Sequence, residues 1–422
     1  MPSEPKLEGW AQGVNDILRA DELPTDTLRR SVNYDITDTG KLRRRRGSTK
    51  VYNGQIQRDS LYSDSSRTLF VEQGHLKELY RDIVGNYSAP LVRLDVGSRP
   101  MSYVNVNGSI YYSNNIVTGI VGPDGEDWKW GVTSPRTQPN LTAGGSGQLA
   151  AGSYQVAVTF INDRGEESGT GLAAQVDIPE SSDAVGSITL TDFPLTYDDT
   201  DMIRIYVSHV NGSGLYRIAD VLPGLPLYTI TQISNTASIR LETQFGMEPP
   251  PGHILEYHNG RIYIANNNIV WCTQPLRYNL TKPAHDFFQF PAFIDVMKAV
   301  DTGLFVCSGD KTYFIENLDT ANLRQDEILP YGGVYNTGIN VPNYDAVAWF
   351  SHRGIVLGGD GGETYNIMDD RVAVARYDRG TMLWREHRGI RQFVANLWDG
   401  ELNNYAAADY VALETARGGN FI

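Results

Sequence analysis

One pattern recurs along the 422-residue chain: a run alternating apolar and polar positions, a turn containing glycine, then a second alternating run. It reads LFVEQGHLKELY at 69–80, YVNVNGSIYYSNN at 103–115, LEYHNGRIYIANN at 255–267 and KAVDTGLFVCSGD at 298–310. Weaker copies are AWFSHRGIVLGGD at 348–360 and ANLWDGELNNYAA at 395–407. Alternate side chains of a strand share a face, so period-two alternation broken by a glycine turn predicts a β-hairpin at each place. The turn glycines Gly74, Gly108, Gly260, Gly303, Gly354 and Gly400 are spaced by 34, 152, 43, 51 and 46 residues. Four of the five spacings fall near the roughly 40–50 residues of a propeller blade. Treating 138–245 as an insertion brings the long spacing to about 44, within the same range.

That segment has its own pattern. Thr142-Ala143-Gly144-Gly145-Ser146-Gly147 reads as a flexible linker. Tyr154, Val156, Val158 and Phe160 then alternate, Asn162-Asp163-Arg164-Gly165 supplies a turn, and strands are predicted at 187–190, 202–207 and 215–218. About 100 residues of short, regularly spaced strands predict an immunoglobulin-like sandwich of fibronectin III type. Pro249-Pro250-Pro251-Gly252 punctuates its end, since proline cannot continue a strand ladder. The expected fold is all-β: an approximately six-bladed β-propeller with an inserted immunoglobulin/fibronectin III-like β-sandwich. Its parts are an extension at 1–49 packing on the propeller or a partner ring, blades at 50–137, the sandwich at 138–245, and blades at 246–422.

Composition agrees with strands joined by tight turns, with 42 glycines and 24 tyrosines. Charged residues make up 20% and there are two cysteines, which excludes disordered and disulfide-stapled classes. Cys272 and Cys307 form no Cys-x-x-Cys, and a reducing compartment at synthesis is expected. The opening MPSEPKLEGWAQG has no apolar core, so no signal peptide is expected, and no apolar run predicts a membrane span. The net charge of −14 argues against a protein that grips nucleic acid, because phosphate neutralisation needs basic residues. It leaves room for a wall past which DNA slides, with a basic lumen built from Arg43 to Arg46 and Arg67 as the rival arrangement.

Residues 9–52, GWAQGVNDILRADELPTDTLRRSVNYDITDTGKLRRRRGSTKVY, contain a glycine-bounded start, Leu23-Pro24 and the basic motif Gly40-Lys41-Leu42-Arg43-Arg44-Arg45-Arg46-Gly47. With GHILEYHNGRIYIANNNIVWCTQPLRYNLTKPAHDFFQFP at 252–291 and GSYQVAVTFINDRGEESG in the insertion, this resembles the nozzle or tail tubular proteins of short-tailed bacteriophages. Arg46 stands where that pattern usually carries proline. The resemblance implies a non-catalytic virion structural protein, made in the host cytoplasm and placed in the phage tail. It implies a homohexamer around the DNA ejection channel, with a portal or adaptor ring, tail fibre or spike proteins and passing double-stranded DNA as partners. A baseplate or receptor-binding, carbohydrate-binding propeller is the alternative.

Arg43, Arg44, Arg45 and Arg46 are the candidate partner-docking residues; the competing reading is a strand whose arginines partly lay their stems over apolar neighbours. Gly358 to Tyr365 resembles the Asp-box hairpin of sialidase-type propellers, without that family's leading Ser and with Tyr for Trp. The acids Asp198, Asp199, Asp201, Asp369 and Asp370 lack calcium-loop spacing, and His253 and His258 sit five residues apart, on opposite faces of a strand. Phe287, Phe288, Phe290 and Phe293 read as core between blades rather than a base-stacking platform. No nucleophile elbow or phosphate loop is present, so no catalytic residue, metal site or cofactor is expected.

Overall fold

The computed structural model describes residues 9–37, 39–45, 50–64, 66–180, 186–233, 239–318, 323–369, 371–387 and 390–399, and the strand Leu413–Ala416. The described chain is β throughout; its helical pieces are two short 3-10 turns, Arg58–Ser60 and Asp360–Gly362. No described helix is long and apolar enough to cross a membrane.

Six antiparallel sheets follow one another among the described residues, each built mainly from consecutive strands. The first holds Tyr62–Ser63, Thr68–Glu72, His75–Glu78 and Leu91–Arg93, with a small extra hairpin before its last strand. The second holds Ser102–Val106, Ser109–Ser113, Thr118–Val121 and Asp127–Trp128. After the insertion, the third holds Ile254–His258, Arg261–Asn266, Ile269–Cys272 and Phe287–Gln289. The fourth holds Ile294–Val300, Gly303–Ser308, Lys311–Glu316 and Arg324–Leu329. The fifth holds Ile339–Asn340, Ala346–Ser351, Gly354–Gly359 and Thr364–Asn366, and the sixth Arg379–His387, Ile390–Trp398 and Leu413–Ala416.

Strand alternation explains how these sheets stack. Gly303–Ser308 is buried along its whole length because both faces are covered. Leu304 and Val306 pack with Tyr263 and Val270 of the third sheet, while Phe305 and Cys307 pack with Val347 and Trp349 of the fifth. In the second sheet Ile110 and Tyr112 meet Leu69 and Val71 of the first, and Tyr111 meets Ile262 and Ile264 of the third. Ala348 and Phe350 turn to Phe393 and Ala395 of the sixth. The second to fifth sheets are therefore each a leaf between two others, a β-propeller-like arrangement.

The insertion is two further sheets. Asn140–Leu149, Gly186–Thr191 and Leu227–Ile230 form one; Ala174–Ile178, Gly152–Asn162, Thr200–Ser208 and Leu215–Val221 form the other. Tyr154, Val156, Val158, Phe160, Ile203, Ile205 and Val207 share a core drawn only from residues 132–233. Asn279 Nδ2 donates to Glu167 O (2.9 Å), joining the insertion to the loop before the third sheet's last strand, while Trp130, just after the second sheet, donates from Nε1 to Tyr278 O (2.7 Å) in the same loop.

Two glycine readings are corrected. The stretch 142–147 is part of the strand Asn140–Leu149, which pairs from Asn140↔Thr191 to Gly144↔Ser187 before its register shifts at a bulge. A Cβ on Gly147 would lie 2.2 Å from Gly186 O, so this glycine permits close backbone approach. Gly74, Gly108, Gly260 and Gly354 do have positive φ at turns, but Gly303 begins a strand without it. Its Cβ would lie 2.3 Å from Ile315 O. Gly303→Ala is accordingly expected to lower stability by about 1–3 kcal/mol through overpacking, read as a fall in thermal midpoint beside Gly171→Ala, an exposed position where a Cβ meets nothing within 4 Å and φ is not left-handed. The glycines also mark different hairpins: Gly108 and Gly260 join first and second strands, Gly74 and Gly354 second and third. Gly400 lies outside the described residues.

Candidate functional site at the seam between the first and last sheets

The junction that closes the run of sheets differs in chemistry from the other five. Those are packed mainly through apolar side chains, with the Lys298–Glu256 pair at one of them; the contacts made by the described residues between the sixth sheet and the turn ahead of the first are polar. Asp59 and Ser60 sit buried in the turn Arg58–Ser60 ahead of the first sheet. Ser60 is tied to the second sheet: its Oγ accepts from Met101 N (3.0 Å) and its carbonyl from Tyr103 OH (3.0 Å). On the other side Asp59 Oδ2 lies 3.8 Å from Arg379 Nη1, which opens the first strand of the sixth sheet. Asn336 Nδ2 approaches Asp59 O at 3.4 Å across 277 residues of sequence. Gln57 Nε2 donates to Asp59 Oδ1 (3.1 Å).

The same end of the molecule gathers groups from the third, fourth and fifth sheets. Gly380 N donates to Tyr335 O (3.0 Å), and Asn336 N to Asp295 O (3.1 Å). His253 Nε2 meets Ile294 O at 2.8 Å. Because a carbonyl only accepts, Nε2 carries the proton and Nδ1 is a bare acceptor, buried without a partner among the described residues. The imidazole stacks on Phe293 with ring centres 4.4 Å apart, and Tyr335 lies within 6 Å of both rings.

Burial dominates the electrostatics. It raises the Asp59 carboxyl above its ordinary value, opposed by Gln57 and Arg379. It pushes Asp295 up to about 7, with Asp310 adding to the effect and the Gly309 N–H opposing it. It lowers His253 to about 4, so that imidazole is neutral near pH 7. Farther along the inner strands, Lys298 Nζ pairs with the buried Glu256 Oε2 at 2.7 Å, joining the fourth sheet to the third. No hydrogen bond joins His253 to Asp295 or Asp59 among the described residues, so general acid–base work has no aligned pair here. What the arrangement does is fasten sheets together.

No family model matches the chain, and no curated protein matches it. Solved structures similar to it include a streptogramin B lyase, 12% identical over 82% of this chain and 97% of that one, with a TM-score of 0.32. A catalytically inactive virginiamycin B lyase from Staphylococcus aureus with quinupristin is 9% identical over 82% and 93%, with a TM-score of 0.33. A protein from Lactobacillus plantarum is 9% identical over 82% and 94%, with a TM-score of 0.34.

The arginine run is divided by the structure. Arg43 and Arg44 are exposed on the strand Leu42–Arg44, which pairs with Tyr34–Ile36. Arg45 is half-buried, its Nε 3.5 Å from the buried Asp35, which also lies 3.4 Å from Arg385 of the sixth sheet. Arg46 lies outside the described residues. Arg67 is held by Glu78, with Nε–Oε1 at 2.6 Å, and by Gly122 O at 2.6 Å. Its charge is internally matched, which removes it from any basic lumen.

Asp199 faces Lys129 at 3.5 Å, and the Asp-box-like stretch is the turn between two strands of the fifth sheet. Asp370 lies outside the described residues. Phe290 is buried and Phe288 half-buried between the third and fourth sheets, but Phe287 and Phe293 are partly exposed, Phe287 against Trp271 and Phe293 against His253. Among the described residues no three His, Cys, Asp or Glu side chains gather as a metal-ligand set. The seam residues Asp59, His253, Asp295, Tyr335 and Arg379 were missed because each is an isolated polar position in its own hairpin.

Proposed function

We propose that this chain is a non-catalytic structural protein of a short-tailed phage tail, of the nozzle kind. Its six sheets are the blades of a propeller, and its insertion is a fibronectin III-like module. Six copies form a ring around the DNA ejection channel, between a portal or adaptor ring and the fibre or spike proteins. The observation that carries this reading is the run of six meanders interrupted after the second by a sandwich with its own core, coinciding with the sequence resemblance at 9–52 and 252–291. Arg43 and Arg44, exposed on the extension, are available to dock an acidic face of the neighbouring ring. With −14 per copy, the lumen repels phosphate evenly and the duplex slides.

Imaging the purified chain with and without its particle tests this: coaxial rings support it, and peripheral trimers favour the receptor-binding alternative. Duplex binding by imaged rings at about 50 mM salt is expected to be undetectable, whereas micromolar binding with a steep salt slope would replace sliding with gripping. Replacing Arg43 and Arg44 by Ser is expected to weaken docking to the partner ring at low salt and to matter little at high salt, where exposed charges are already screened. Docking unchanged at low salt would return these arginines to solvent.

A further inference from the structure

The extension gives the sixth sheet a second fastener. Residues 9–45 hold themselves together by backbone bonds: Trp10 N donates to Gly40 O (2.6 Å), Asn15 N to Leu28 O (2.8 Å) and Arg45 N to Asn33 O (2.8 Å). Gly13–Val14 pairs with Thr27–Leu28, and Tyr34–Ile36 with Leu42–Arg44. The unit is seated on the sixth sheet and on the link that leads into it. Asp16 straddles that link, its N donating to Arg371 O (3.0 Å) and its Oδ1 accepting from Ala373 N (2.8 Å). The buried Asp35 lies between Arg45 of its own unit (3.5 Å) and Arg385 of the sixth sheet (3.4 Å). Arg385 stands on the strand Arg379–His387, whose first residue makes the contact to Asp59.

Apolar burial contributes little to this seat. Ile36 is the single buried apolar side chain among the described residues of 9–45, while Ile17, Val32, Tyr34 and Leu42 are exposed. None of the described residues of 9–45 joins a core between sheets. Segments with few buried apolar contacts open at low free energy, below that of global unfolding. Two-stranded pieces without a shared core are marginal in water. Off its seat this unit therefore loses its internal bonds as well, and its docking and internal amides become exposed in one event.

We propose that residues 9–45 are a clasp that opens and recloses on the sixth sheet as one unit, fastened by Asp35 and Asp16, while the six sheets stay folded. Opening frees the link at 371–373 and leaves the Asp59–Arg379 contact in place. The device belongs to the single chain and does not depend on the ring proposed above. Hydrogen exchange of the full-length protein tests it, read by mass spectrometry on peptides from 9–45, 371–378 and the fourth-sheet strands at 303–316. In the wild type, 9–45 and 371–378 are expected to exchange together, about tenfold or more faster than 303–316. Arg385→Gln is expected to accelerate both segments by about tenfold again and to leave 303–316 unchanged. Raising salt from about 0.05 to about 1 M should accelerate them in the wild type more than in Arg385→Gln, because the charge contact is partly exposed. Asp16→Ala probes the other fastener and is expected to accelerate both segments, whereas Asp16→Asn keeps the accepting oxygen and the wild-type rate. Exchange of 9–45 no faster than 303–316 makes the extension an integral part of the fold and overturns the proposal. Variants that accelerate all three regions alike overturn it too, as does unprotected exchange of 9–45 in the wild type, which would leave the unit without a seat.

Discussion

Arg379→Met is expected to cost about 3–5 kcal/mol, because it leaves a buried carboxylate without its charge partner. Asp59 and Arg379 are both almost wholly buried and 3.8 Å apart, and they link the turn ahead of the first sheet to the sixth sheet, alongside the Asp35–Arg385 contact made by the extension. The pair itself is not worth that much; the figure is the penalty for uncovering one half of it. Adding Asp59→Asn to Arg379→Met should therefore restore most of the loss, since the amide still accepts from Gln57. The sign with pH follows from Asp59, whose folded carboxyl titrates above its unfolded value. Such a group is penalised in the folded state as pH rises from its ordinary value through the raised one, and the penalty disappears as acid protonates it. The deficit of Arg379→Met should shrink as pH is lowered. Urea midpoints of wild type, single and double variants decide this, and a single variant within about 0.5 kcal/mol of wild type would show that the seam does not hold the fold closed.

Asp295→Asn is expected to stabilise the protein, in a defined pH range. Burial holds the folded carboxyl at about 7 against an ordinary 3.8. The protonated form suits the folded state, so the penalty is absent below about 4, grows as pH rises, and is complete above about 7. Asparagine cannot ionise and keeps an oxygen for the Gly309 N–H. The variant should match wild type near pH 4 and exceed it by about 2–4 kcal/mol at pH 8. Parallel stability–pH profiles for the two proteins would mean that Asp295 is hydrated in the folded state.

Much of the β architecture was legible because hairpins are local. The alternation at 103–115 and 255–267 maps directly onto paired strands, as does the inward row Tyr154, Val156, Val158 and Phe160. Glycine was harder to read, because flexibility and closeness look alike in sequence. Gly147 and Gly303 are there because another backbone carbonyl occupies the space of a Cβ, and Gly108 because a turn needs positive φ. The hairpin at 80–88 was passed over beside the stronger one at 69–80, although Asp82-Ile83-Val84-Gly85-Asn86 carries turn residues at suitable spacing. The seam could not be found from spacing. Its members come from hairpins remote in sequence, and a lone Asp or His says nothing of its neighbours until the leaves are stacked. The four arginines show the opposite limit: their concentration was obvious, but not that Asp35 claims one of them.

The location of the Asp59–Arg379 contact also orders events during synthesis. The sandwich, whose core uses only residues 132–233, can form while later codons are still being read, and neighbouring leaves can add as they emerge. Asp59 must wait for Arg379. Until then the nascent chain is an open horseshoe with its first and latest leaves each lacking a neighbour, and contacts this distant in sequence form slowly. Chains truncated before residue 379 should consequently stay trapped as aggregation-prone arcs. The late contact is polar, and an ion pair buried at this seam favours the one arrangement that brings both partners together over a longer, mispaired spiral.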